Sequence, residues 1–404
     1  MGRLPTVAAT LVLLLGALLP AGRAAADSQF GSNALGVGVR PVHVRAWAMG
    51  GLETALADSS RLSLANPALA AGMKRVSMSL LYHAERIRAE SPEGTHSYNA
   101  SGFPLFEFLI PVGDRLAFGF GYQELQDMGT ARIRLESFGD PVDYTTFFER
   151  HGSVFRVPGV VAVRLFRDVR IGFRLDTYFL SVEEDYDLDF ADSDIRDTRE
   201  RFLLGGDGNA AAAGLLLPLG RDGHLGLSWS DEAVLHTDRE REGLSGTVLN
   251  ERTRIGVASR FSAGLAWRFG GGWTAGAEYA WTGWEDVEDT LAALGGYADV
   301  TSYAFGLERM PGRDDPWFVR FPLRAGFRVD PLMVRDREGN RIDRWAVTCG
   351  TGFELGGGAG ICDLAVEFGR IGDREENGLR EGYTRFVVGF TAQEPWRRRK
   401  SYIE

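Results

Sequence analysis

From Met73 to Thr391 the chain alternates between apolar and polar side chains, and this period of two limits most strictly what it can fold into. Val76, Met78, Leu80 and Tyr82 share one parity, and Ser77, Ser79 and His83 the other. Farther on, Val169, Ile171, Phe173 and Leu175 alternate with Arg170, Gly172, Arg174 and Asp176. A period of two puts each set on its own face of a β-strand. A contrast this strict suits a strand with lipid on one side and a wet interior on the other.

The connections repeat on a second, longer rhythm. Short turns at 111–114, 166–168, 220–223 and 270–272 alternate with long charged stretches at 126–151, 183–201, 237–252, 286–296 and 372–382. Between them lie about fourteen segments, each long enough for the roughly 9 to 11 residues that cross a bilayer at a tilt. The expectation is all-β: an antiparallel transmembrane β-barrel of about 14 strands, with short turns in the periplasm and long loops outside. Trp229, Trp273, Trp281, Trp345 and Tyr383 are candidates for its aromatic girdles. In the third segment, 115–125, Leu116, Phe118, Phe120 and Tyr122 face outward with Gly119 and Gly121 between them. Glycine weakens a strand, so this pair marks a candidate weak place in the wall.

No stretch after residue 26 approaches the apolar length of a spanning helix. Arg3, the apolar run 7–19 and Ala24-Ala25-Ala26 read as a secretory signal peptide over 1–26. The remaining organisation is an N-terminal plug over 27–72, the barrel over 73–392 and a basic periplasmic tail over 393–404. That tail carries Arg397, Arg398, Arg399 and Lys400 and either meets anionic head groups or is simply solvated. The stretch 27–44 is either an extended leader to the plug or a mobile tail. Within 45–71, Asn66 is placed to cap a short helix whose first turn holds Pro67. Two short helical turns are expected there, too small to bury a core of their own.

A net charge of -10 argues against nucleic acid as a partner. The six histidines are scattered without metal or catalytic spacing, and no GxSxG or Walker sequence occurs, so no enzyme, metal or cofactor is indicated. Asp185, Asp187, Asp189, Asp192 and Asp194 are either a solvated surface loop or oxygen ligands for calcium. Cys349 and Cys362 share the apolar parity of their strands, and whether they pair stays open. The predicted lumen-facing charges are Arg170, Arg174, Arg254, Arg260, Arg268, Arg320, Arg324 and Arg328, with Asp176, Glu278, Asp363 and Glu367. These arginines either attract the carboxylate of an amphipathic solute or form a network that balances charge and anchors the plug.

The order Gly50-Gly51, Ala55, Ala57-Asp58, then Asn66-Pro67-Ala68, then a Gly-rich array of strands, resembles the plug and barrel of the FadL-type outer-membrane transporter family. The resemblance covers nearly the whole chain beyond the signal segment. It implies a Gram-negative outer-membrane location, lipid as surroundings and a hydrophobic small molecule as substrate, with long-chain fatty acids the best-known case. It also implies capture from outside, binding near the plug and lateral release at a kink in the third strand, here at Gly119 and Gly121. The same features also resemble PorV-type barrels, which would make secreted protein cargo of type IX secretion the partner instead.

Overall fold

The computed structural model describes residues 28–130, 133–137, 143–191, 194–242, 248–287, 291, 293, 295–312, 321–355 and 359–394. The signal segment and most of the basic tail lie outside them.

After β1 (Val37–Gly38), the strands are β2 (Val76–Ser91), β3 (Gly94–Val112), β4 (Leu116–Asp127), β5 (Ile133–Ser137), β6 (Tyr144–Arg164), β7 (Arg170–Phe190), β8 (Thr198–Leu219) and β9 (Gly223–Ser230). They continue with β10 (Ala233–Glu242), β11 (Val248–Val257), β12 (Arg260–Phe269), β13 (Trp273–Thr282), β14 (Val300–Arg309), β15 (Leu323–Val329), β16 (Arg344–Leu355), β17 (Gly360–Ile371) and β18 (Arg380–Glu394). β18 pairs antiparallel with β2 from Arg380↔Glu90 to Glu394↔Val76 and closes the cylinder. The result is a closed antiparallel barrel of 14 strands. β10 and β11 prolong β9 and β12 after short breaks, and β5 pairs with β6 as β4 does lower down. No described helix is long and apolar enough to cross a membrane.

Parity carries through to burial. Phe118, Phe120, Phe173, Leu175, Phe305 and Phe386 are exposed on the outer wall, whereas Arg174, Asp176, Arg324, Arg328 and Glu367 are buried inside. Lipid solvates the first set, and the interior must satisfy the second.

Three of the expected loops are largely strand. Much of 126–151, 183–201 and 237–252 forms hairpins of β5–β6, β7–β8 and β10–β11 that prolong the sheet beyond the membrane. Water on both faces removes the apolar alternation there while the backbone ladder continues. Asp185 and Asp187 accordingly pair with Arg199 across the β7–β8 hairpin, and Asp192 lies outside the described residues. Among the described residues 321–334, the strand is confined to β15.

Two parities are also corrected. Ile255 and Val257 face inward and Arg254 outward, because the break at 258–259 between β11 and β12 shifts the alternation. Tyr383 points into the lumen, since Thr384 and Phe386 hold the outer parity of β18, so it is no girdle residue; Trp229 and Trp345 are exposed on the outer wall. Cys349 stands opposite Val366 and Cys362 opposite Phe353, and both thiols are free.

Candidate functional site

The plug descends through the lumen from the outer end to the periplasmic end. A 3-10 turn at Gln29–Ser32 docks on Glu381, whose carboxylate accepts from the Gln29 N–H at 2.8 Å. β1 then pairs with Gln126 and Asp127 of β4. A one-turn helix, α1 (Val44–Trp47), sits mid-lumen, with the His43 ring accepting from the Ala46 N–H at 3.2 Å as its cap. Burial pushes the His43 imidazole down to about 4, and Arg45 adds to the shift. A second 3-10 helix, Pro67–Gly72, ends the descent, capped by Asn66, whose side chain accepts from the Ala68 N–H at 3.1 Å. The leader over 28–44 is thus a packed part of the plug.

Lumen-facing glycines make room for this passage. Gly172 stands opposite Gly214, Gly226 opposite Gly264, and Gly276, Gly306 and Gly326 follow one another across three strands. A Cβ at Gly214 would lie 2.0 Å from Asn66 Oδ1, one at Gly172 2.3 Å from the Pro67 carbonyl carbon, and one at Gly326 2.1 Å from the Gly50 nitrogen. Only hydrogen in place of a side chain lets plug backbone approach the wall this closely. Gly50 itself has φ 79°, which glycine tolerates.

Below α1 the plug is joined to the wall by a closed ring of alternating charge. Arg45 Nε donates to Glu308 at 2.8 Å, Arg324 Nε to the same carboxylate at 2.9 Å, and Arg324 Nη1 to Asp363 at 2.7 Å. Arg61 Nε donates to Asp363 at 2.6 Å and Arg61 Nη1 lies 3.4 Å from Asp58, to which Arg45 donates at 2.9 Å. Three guanidinium groups thus face three carboxylates, so the buried ring is neutral. Burial would raise the Asp58 carboxyl, but Arg45 and Arg61 overcome it and hold it down at about 2. Beside the ring, Arg328 donates to Glu367 at 2.9 and 2.7 Å, and the Trp47 indole N–H donates to the same carboxylate.

Four of the other predicted lumen charges also meet the plug. Arg174 donates to the Leu64 and Ala65 carbonyls at 2.8 and 2.6 Å, and Arg260 donates to Glu53 at 2.9 Å. Glu278 accepts the N–H groups of Glu53 and Thr54, each at 2.8 Å. Arg170 packs against Gly72 and pairs with Asp168. Arg268 is exposed at the periplasmic mouth, and Arg320 lies outside the described residues. The sequence reading missed Arg45, Arg61, Glu308, Arg156 and Glu107. Inward parity was the only signal for Glu308, Arg156 and Glu107, and it names no partner; Arg45 and Arg61 stand in the plug, outside any strand alternation.

On either side of this plug lies open space. Above it a cavity of about 170 Å³ has an apolar roof of Tyr178, Val257, Trp284, Leu332 and Met333 and a charged floor that includes Arg40, Arg156 and Arg344. The roof belongs to a larger apolar cluster with Leu35, Leu180, Val182, Leu235 and Ile255. Below it a hollow of about 720 Å³ faces the periplasm between the ring and the ends of β12–β16. The cavity reaches Leu125 and Gln126 of β4 and Arg156 of β6. Just below, the β4–β6 ladder pairs Phe120 with Gly159 and Gln123 with Arg156 but leaves unpaired the positions between, Gly121 and Tyr122 beside Val157 and Pro158. Pro158 has no N–H to give the ladder. Gly119 faces the plug, where a Cβ would lie 3.0 Å from Leu64, and one at Gly121 would lie 2.4 Å from the Phe106 carbonyl oxygen.

Comparison with known proteins follows this architecture. A family model described as BamG matches residues 6–210 and 230–402. A Pseudomonas aeruginosa FadL homologue superposes with TM-score 0.63 at 13% identity, covering 90% of this chain and 100% of that one. The Ralstonia pickettii toluene transporter TbuX gives 0.62 at 16%, covering 88% and 98%. The Pseudomonas putida toluene transporter TodX gives 0.59 at 16%, covering 90% and 100%. No curated sequence matches the chain significantly.

Proposed function

The chain belongs to the BamG family and folds as an outer-membrane barrel of the FadL type, and from that premise we propose that it conducts small hydrophobic molecules across the outer membrane around a plug that stays largely seated. The observation that carries this reading is the cavity with the apolar roof, above the plug and beside the interrupted β4–β6 ladder. An apolar cavity of about 150 Å³ holds a benzene-sized guest, so about 170 Å³ suits a single aromatic ring or a short aliphatic chain. A long-chain fatty acid would have to displace part of the plug to enter. The toluene transporters TbuX and TodX, similar in fold, are in keeping with the smaller class.

Release runs sideways in this reading. A greasy molecule leaving past Gly121 and Tyr122 enters lipid without crossing the charged ring, which a route into the periplasm would require. The test is native mass spectrometry and solvent extraction of protein purified gently from outer membranes, followed by uptake of a monoaromatic hydrocarbon into cells. Wild type is expected to retain or take up small apolar molecules, and Gly121→Val to retain them while slowing uptake. Uptake unaffected by Gly121→Val would remove the lateral route.

One observation favours a second reading, a PorV-like adaptor for secreted protein cargo. The β6–β7–β8 and β10–β11 extensions raise a broad sheet beyond the membrane, more than a small solute needs. An empty barrel purified with a stoichiometric protein partner would establish that reading over transport.

A further inference from the structure

On the outer wall, away from the lumen, even-numbered residues of β2, β17 and β18 face outward, and at the outer end of these strands they turn from apolar to cationic. Phe368 and Phe386 are 52% and 57% exposed, as expected of side chains in lipid. The next positions toward the outside build a row across the sheet, in which Trp345 pairs with Arg370, Arg370 with Gly382, and Gly382 with Arg88. Arg86 stands beside Thr384 one step nearer the membrane core, and Arg380 beside Glu90 one step farther out. These residues line an open hollow of about 610 Å³. Gly382 forms its floor, and a Cβ there would meet nothing within 4 Å.

The charge of the hollow is unbalanced. Four guanidinium groups, Arg86, Arg88, Arg370 and Arg380, face two carboxylates: Glu90, paired with Arg88 and Arg380, and Asp373, paired with Arg370. The Arg88 side chain stays 64% exposed and keeps donors for another acceptor. Arginine forks match tetrahedral phosphate oxygens in a bidentate way. Positive charge at this level would repel nothing in the outer leaflet and would attract its phosphates.

We propose that this notch is a binding site for the phosphate-bearing headgroup of an outer-leaflet glycolipid, with Arg88 and Arg370 gripping the phosphate across Gly382 and Trp345, Phe368 and Phe386 lining the path of its acyl chains. The aromatic apron commits the site to a lipid. A free phosphate would gain nothing from rings that already face the membrane. The site is independent of the transport reading, since it lies on the opposite side of the wall from the cavity.

The experiment titrates full-length protein in neutral detergent with bisphosphorylated lipid A, with the same lipid A after dephosphorylation, and with inorganic phosphate, and counts retained lipid by native mass spectrometry. Heat-modifiable gel mobility reports that each variant is folded. Arg88→Ser with Arg370→Ser is expected to weaken bisphosphorylated lipid A by about 25-fold, each cation near a membrane surface being worth about fivefold. Arg252→Ser with Arg254→Ser, an equal loss of charge on the outer hairpin, is expected to leave it unchanged. Gly382→Leu fills the notch without altering charge and is expected to match the arginine variant, which keeps the test decisive should that variant fold poorly. Equal retention by the arginine or Gly382 variants, equal affinity for dephosphorylated lipid A, or displacement by inorganic phosphate would each overturn the proposal.

Discussion

Changing Glu308 to Gln keeps the shape of the charge ring and removes one of its three negative charges. Glu308 is fully buried and accepts from both Arg45 and Arg324, so the ring acquires one uncompensated positive charge. Removing one partner of a buried pair costs about 3 to 5 kcal/mol. Arg45 keeps Asp58 and Arg324 keeps Asp363, which places the expectation near the lower end, about 3 kcal/mol. That loss falls on docking of the plug, because the barrel ladder on either side of β14 does not depend on the carboxylate. Local opening of α1 should then rise by about a hundredfold, since each 1.36 kcal/mol is tenfold. Hydrogen exchange read by mass spectrometry on the α1 peptide, whose Trp47 and Ala48 N–H groups bond back to His43 and Val44, measures this directly. Adding Arg45→Met removes the surplus positive charge and should recover part of the protection. Unchanged exchange in the single variant, or a double variant looser than the single, would refute the electrostatic account of plug docking.

Acid should loosen the same region in two stages. His43, depressed to about 4, gives support that is full above the ordinary histidine value of 6.5 and lost as pH falls toward 4; Asp58, depressed to about 2, gives support that is full above 3.8 and lost as pH falls toward 2. The protection factors of α1 amides, with the intrinsic pH dependence of exchange divided out, should fall through the first window between pH 7 and pH 3, and His43→Ala should abolish that step. Gly326→Val should unseat α1 at an overpacking cost of about 1 to 3 kcal/mol or more, because the new carbon would meet Gly50 and Met49 backbone, and protease cleavage within 44–52 would report it. Asn66→Ala should cost about 0.5 to 2 kcal/mol through its lost cap and free the Pro67–Gly72 turn, read as faster exchange there with barrel mobility on gels unchanged.

The strand count was legible because two solvents, lipid and the lumen, write opposite requirements on alternate residues of every spanning segment. Where both faces meet water, as along Asp185–Asp189 and Arg239–Glu242, that record disappears and a strand reads as a charged loop. A single break such as 258–259 inverts everything beyond it, which is why Arg254 was placed on the wrong face. Candidate lumen charges were visible by parity, but their pairing was not. Arg45 and Glu308 are 263 residues apart, and only barrel closure with the plug inside brings them together. Gly119 and Gly121 drew notice as weak points of a strand, yet inward-facing glycines recur on nine other described strands as seats for the plug, from Gly172 to Gly389. Composition recorded the abundance of glycine and not the reason for it.

The energetics of the lumen bear on the route a solute takes. Expelling the plug downward would break the plug-to-wall pairs Arg45–Glu308, Arg61–Asp363, Glu53–Arg260 and Arg40–Asp330 together with the Trp47–Glu367 hydrogen bond. Each buried pair broken one-sidedly costs about 3 to 5 kcal/mol, so the whole displacement exceeds 10. A monoaromatic ring of about seven heavy atoms can gain at most about 1.5 kcal/mol per atom, and ordinarily far less. Binding of such a ligand therefore cannot drive the plug out, whereas moving side chains beside Gly121 and Tyr122 breaks no ladder bond between β4 and β6 at those positions. A solute small enough for the cavity is thus also one too small to unseat the plug, which ties its size to a sideways exit.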